Sequence, residues 1–113
     1  MTTLNFKLKV LDLFKTIGYF KSLEILDETT NTIKFKLVIN SSCFVQIYAN
    51  TKKHLKNYAV ILNGQRIYGV DCKGGKWHEH PFEEFSEHRI CKEMSLEKFL
   101  IDVYEKLENK NLL

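Results

Sequence analysis

The chain has little of what marks specialised protein classes. Of its 113 residues only Pro81 is proline and five are glycine, which excludes a collagen-like or Pro/Gly-rich disordered chain. The longest apolar runs, such as Val60-Ile61-Leu62, are a few residues long, far short of the roughly 20 that a membrane-spanning helix needs. The three cysteines, Cys43, Cys72 and Cys91, include no CxxC pair. Reduced thiols are expected, and the spacing does not suit a structural zinc site. Arginine is scarce: Arg66 and Arg89 are the only two among 17 basic residues. Internal repeats and low-complexity stretches are absent. No charged segment followed by an apolar run opens the sequence, so no signal peptide is expected and the reading is cytoplasmic, with no membrane partner.

What is present describes one folded domain, 1–113. Hydrophobic residues make up 44% and charged residues 27%, ordinary values for a globular chain. The formal charge is +3, which permits a polyanionic partner without demanding one.

Periodicity gives the order of elements. Val10, Leu11, Phe14 and Ile17 fit a helix over 3–17, with Gly18 where a C-terminal cap belongs. A loose strand pattern follows from Tyr19 to Thr29. Strict alternation over 32–40 sets Ile33, Phe35, Leu37 and Ile39 on one face and Lys34 and Lys36 on the other. Further strands are expected over 43–50, 58–62 and 66–71, with Asn63-Gly64 as a tight hairpin turn, and a short sixth segment over 77–81. Leu96, Phe99, Leu100, Val103, Tyr104 and Leu107 keep helical spacing behind Ser95 as N-cap. Residues 108–113 are expected to fray. Short links imply antiparallel pairing. The expected fold is α+β: an antiparallel sheet of about five strands with an N-terminal and a C-terminal helix packed on one face.

Three of the four histidines fall in one window. His78 and His80 are two apart, so an extended backbone points both to one side. Asp71 lies across the Gly74-Gly75 turn and can fold back towards them. Imidazole both gives and takes a proton, and a carboxylate beside it fixes its orientation. Arg66 and Arg89 bracket the window with His88. Arg66 is expected on the same strand face as Tyr68, where the pair could hold a phosphate and stack a base. Tyr48, Asn50 and Lys52, with Tyr58 opposite, could extend a polar aromatic face suited to RNA. The plain alternatives are solvent-facing strand residues and aromatic packing. His54 reads as a solvated loop residue, and Cys72 as a remote candidate nucleophile.

The run Arg66-x-x-x-Val70-Asp71, a short turn, then Trp77-His78-x-His80-Pro81 and a later His88 resembles the TumE-like toxins of prokaryotic toxin–antitoxin systems. The resemblance is best over 57–89. It departs at Cys72, where the commoner pattern has asparagine. It implies a toxin partnered by a small helix-turn-helix antitoxin, and RNA as the target.

The reading favoured by these residues is a metal-independent ribonuclease. RNA carries its own nucleophile, so the protein needs a base, an acid and a cation for the phosphate charge. His78 and His80 would be the acid–base pair, Asp71 would orient one of them and Arg66 would stabilise charge. Tyr68, Trp77, Lys76, His88 and Arg89 would contact substrate. Two alternatives use the same cluster: a non-catalytic module binding nucleic acid or protein, and a hydrolase with a divalent metal on Asp71, His78 and His80. An exposed strand edge would make a homodimer plausible.

Overall fold

The computed structural model describes residues 2–82 and 87–113. The chain opens with α1 (Thr3–Ile17). It continues through β1 (Ser22–Glu28), β2 (Thr32–Asn40), β3 (Cys43–Asn50), β4 (Leu55–Leu62), β5 (Gln65–Lys73), β6 (Lys76–His80) and β7 (Arg89–Ile90), and closes with α2 (Leu96–Asn109). The strands form one antiparallel sheet in sequence order, β1 to β7. Among the described residues the sheet thus has seven strands, where about five were expected. The difference lies at the margin: β7 is two residues long and carries no periodicity to read, while β6 is a full hairpin arm.

Both helices begin at well-made caps. Thr2 Oγ1 accepts from the Asn5 N–H at 3.0 Å, and Ser95 Oγ accepts from the Lys98 N–H at 3.1 Å. Each satisfies a donor that the first turn leaves without an intrahelical partner. Gly18 ends α1 at φ +75°, a conformation that costs glycine nothing. The chain beyond Glu108, expected to fray, turns back instead. Asn111 adopts φ +56°, the Leu112 N–H donates to the Leu107 carbonyl at 2.9 Å, and Leu112 packs against the core.

The core lies between one sheet face and the two helices. Alternation supplies Ile33, Phe35 and Leu37 from β2, Val45 and Ile47 from β3, and Tyr58 and Val60 from β4. Phe6 and Val10 of α1 and Phe99, Leu100 and Val103 of α2 close over them. An aromatic layer binds α2 to the sheet: the Phe99 ring lies 5.4 Å from Tyr68, nearly parallel, and 5.5 Å from Tyr58. The Tyr19 hydroxyl donates to the Leu100 carbonyl at 2.7 Å, tying the end of α1 to α2.

Burial raises the phenol pKa of Tyr19, Tyr58 and Tyr68 well above the usual value. A phenol whose folded pKa is raised stabilises the fold fully below the unfolded pKa of about 10 and loses that contribution as pH rises beyond it. Stability therefore falls above about pH 10, by up to about 1.4 kcal/mol per pH unit for each such tyrosine. In an alkaline titration, phenolate absorbance from these three appears together with loss of the circular dichroism of the sheet. If all five tyrosines ionised smoothly with the sheet intact, this packing would be wrong.

Among the described residues, no helix lies on the opposite face of the sheet. Two cross-strand rows traverse it. One runs Lys34–Tyr48–Asn57–Asp71–His78–Ile90, the other Lys36–Gln46–Ala59–Gly69–His80.

Candidate active site on the uncovered sheet face

The β5–β6 hairpin builds the site. Gly74 and Gly75 turn it at φ +59° and +82°, left-handed values that a tight hairpin requires and that side chains resist. The turn sets Asp71 opposite His78 and Gly69 opposite His80. Both imidazoles then face the Asp71 carboxylate on the open side. His80 Nε2 lies 3.2 Å from Asp71 Oδ2, and His78 Nδ1 lies 3.8 Å from Asp71 Oδ1. The first is a hydrogen bond and the second an ion-pair distance. The His80 side chain is 13% exposed and that of His78 33%. One imidazole is thus held in the sheet surface while the other reaches into solvent.

The short β6–β7 pairing brings in the third imidazole. Its register is His78 opposite Ile90 and Glu79 opposite Arg89, which carries His88 to the same end of the open face. The His88 ring lies 4.1 Å from that of His80 and 6.0 Å from that of His78, edge-on to both.

Arg66 reaches the cluster through a β-bulge. Val60 pairs with Tyr68 but Ile61 pairs with Arg66, so Ile67 is the extra residue. The bulge reverses the face on which residues before it lie. It puts Arg66 on the open side with Gly69 and Asp71. A hollow of about 60 Å³ is lined there by Asn57, Ala59, Arg66, Gly69, Asp71 and His80. Ala59 and Gly69, a cross-strand pair, form its floor and leave room above it for a small group between the guanidinium and the imidazole.

The same bulge separates Arg66 from Tyr68. Tyr68 is 1% exposed and lies in the aromatic layer under α2, with the Lys106 ammonium 5.1 Å from its ring. It is a core residue and cannot stack a base beside Arg66. Tyr58, also 1% exposed, faces the core likewise, leaving Tyr48 as the aromatic of that pair on the open side. Trp77 pairs with Cys72 on the helix-covered face. It is half-buried and lines a separate hollow of about 230 Å³ with His54, Lys56 and Glu93. Arg89 shares the register position of Glu79 and holds Glu87 at 3.0 Å, so it too sits across the sheet plane from the imidazoles. Lys76 is exposed at the hairpin end. Asn50 ends β3, and its Oδ1 accepts from the Lys52 and Lys53 N–H groups of the turn that follows.

The thiols take no part. Cys72 is buried on the face away from His78 and His80. Burial pushes the Cys43 thiol up to about 11. The Cys91 thiol is also raised, by burial and by the charges of Glu79 and Asp71. Neither of these two is a ready thiolate. Among the described residues, no group of three or more His, Cys, Asp or Glu side chains is arranged to hold a metal ion.

Reading the sequence alone misses Asn57, Ala59 and Gly69. Their signal is the alternation of β4 and β5, which becomes legible only when the bulge is known. Comparison with protein-family profiles, with curated proteins and with solved structures finds no match. No helix among the described residues is long and apolar enough to cross a membrane.

Proposed function

We propose that this protein is a small ribonuclease that cleaves RNA by histidine acid–base chemistry, and that it acts as the toxin of a toxin–antitoxin pair. The observation that carries the chemistry is a single carboxylate, Asp71, facing His80 and His78 at 3.2 and 3.8 Å beside Arg66 on an uncovered face. Same-face neighbours on a strand are about 6.6 Å apart, so one phosphodiester laid over the open face can reach both rings. One imidazole takes the proton of the 2′-hydroxyl. The 2′-oxygen then bonds to phosphorus as the bond to the 5′-oxygen breaks. The other imidazole protonates the departing 5′-oxygen. The products are a 2′,3′-cyclic phosphate and a 5′-hydroxyl. Arg66 meets the charge that grows on the phosphate oxygens. Asp71 is a positioning residue that fixes the ring of His80.

The toxin assignment rests on the resemblance over 57–89, and with it the helix-turn-helix antitoxin as partner. A homodimer through the β1 edge is the weaker reading, because Glu24, Asp27 and Glu28 would meet like charges there.

Purified protein incubated with single-stranded RNA tests the chemistry. Cleavage is expected with a chelator present, leaving cyclic phosphate ends and a bell-shaped dependence on pH. Activity abolished by the chelator would transfer the site to the metal-dependent alternative. Saturable, salt-sensitive binding without cleavage would leave the binding module.

A further inference from the structure

We infer that the open face carries a second subsite, next to Phe44, which takes an unpaired base of a single-stranded RNA. This deepens the ribonuclease reading, and it rests on separate residues. Phe44, Ile61 and Arg66 form one cross-strand row over β3, β4 and β5. Arg66 thus stands between the imidazole cluster and the Phe44 ring, two strand spacings, or about 10 Å, from the latter.

Beside Phe44 the sheet ends in a hollow of about 310 Å³, lined among others by Lys36, Asn40, Ser42, Phe44 and Asn63. That volume is at the small end of ligand sites. Its walls are built before any ligand arrives. The Asn63 N–H donates to the Ser42 carbonyl at 2.8 Å, which joins the β2–β3 and β4–β5 turns. Asn40 Oδ1 accepts from the Ser42 N–H at 2.9 Å. The chemistry of the lining is that of a base site. An aromatic ring offers a stacking surface to any base, and Ser42 and Asn63 supply polar groups beside it, while the Asn40 amide is held by the Ser42 N–H and the Leu112 carbonyl. The Lys36 ammonium lies 4.5 Å from the Phe44 ring centroid. It can swing to a phosphate by giving up one exposed cation–π contact.

The charge pattern sets where the track ends. Glu24 and Asp27 of β1 stand opposite Lys36 and Lys34, and their carboxylates repel a phosphate backbone. The bound strand therefore runs from the imidazoles past Arg66 to Phe44 and stops before β1. A duplex does not fit this arrangement, because its bases are stacked on each other and unavailable to Phe44.

The test measures binding apart from cleavage, with a 2′-O-methyl oligonucleotide that lacks the nucleophile. Fluorescence anisotropy is expected to show saturable binding that Phe44→Ala and Phe44→Leu each weaken roughly 5- to 150-fold, the range of one lost base stack. Lys36→Gln weakens it and flattens its salt dependence, whereas Glu24→Gln does not weaken it. On cleavable RNA the Phe44 variants raise KM and leave kcat unchanged. Phe44→Leu keeps apolar bulk, so an unfolded Phe44→Ala would not empty the test. Affinity unchanged in a folded Phe44→Leu variant, or duplex bound as tightly as single strand, overturns the subsite. Phe44-dependent binding with no cleavage of ordinary RNA would keep the subsite and remove the ribonuclease. Cleavage with KM indifferent to Phe44 would do the reverse.

Discussion

Replacing His80 by alanine lowers kcat for RNA cleavage roughly 100- to 10,000-fold, the usual contribution of a general acid or base. The expectation rests on placement. Of the two imidazoles facing Asp71, His80 makes the shorter contact, 3.2 Å, and shares its hollow with Arg66. His78→Ala loses activity on the same scale, because each proton transfer needs its own group. The fold should survive both changes, since both imidazoles lie on the sheet face away from the helices. Far-ultraviolet circular dichroism and the thermal midpoint check this on the same samples. Asp71→Asn keeps the shape and removes the charge, so kcat drops with KM and thermal midpoint preserved, and Asp71→Glu restores part of it. A His80→Ala protein that cleaves RNA at the original rate would dismiss the assignment.

The second large effect is on stability. Phe99→Ala costs about 3–5 kcal/mol, a large part of the 5–15 kcal/mol typical of a whole domain. Phe99 is fully buried, and its ring contacts both Tyr58 and Tyr68. Truncation therefore leaves a void in the layer that joins α2 to β4 and β5, and it removes two aromatic contacts at once. Urea unfolding followed by tyrosine fluorescence measures the loss, and the melting point should fall on the order of 15 °C. Phe99→Leu fills most of the volume and costs less. A Phe99→Ala loss below about 1 kcal/mol would mean that α2 does not close this core.

Much of the architecture was readable because burial imposes a period. The strict alternation of β2 and β3 and the helical spacing of α2 gave the right spans, and the Asn63-Gly64 and Gly74-Gly75 turns followed from the need for positive φ. The convergence of Asp71, His78 and His80 was readable too, since a tight hairpin leaves little freedom in register. What failed was parity. Counting by twos from Arg66 puts Tyr68 beside it, whereas the extra residue Ile67 puts them on opposite faces. No local composition announces such a bulge. It is decided by which of two side chains, a phenol or a guanidinium, the core accepts. Trp77 and Arg89 fall on the other side of the sheet from the imidazoles, because nearness in sequence to an imidazole says nothing about which side of a strand is shared. The seventh strand was invisible because two residues have no period.

The sheet follows the chain without a single crossover, and this divides the molecule's contacts into two kinds. Every strand pair is local, so Arg66, Asp71, His78 and His80 are brought together within one hairpin. Closure of the core depends instead on distant partners: Tyr19 reaches Leu100 across 81 positions, and Asn40 reaches Leu112 across 72. Local hairpins zip early and distant docking comes late. The two kinds of contact meet in β5, where Arg66, Gly69 and Asp71 face the candidate site while Tyr68 and Val70 face the core. Substitutions on the open side of the hairpin can therefore reshape the candidate site without touching the residues on which either helix docks, at little cost to folding.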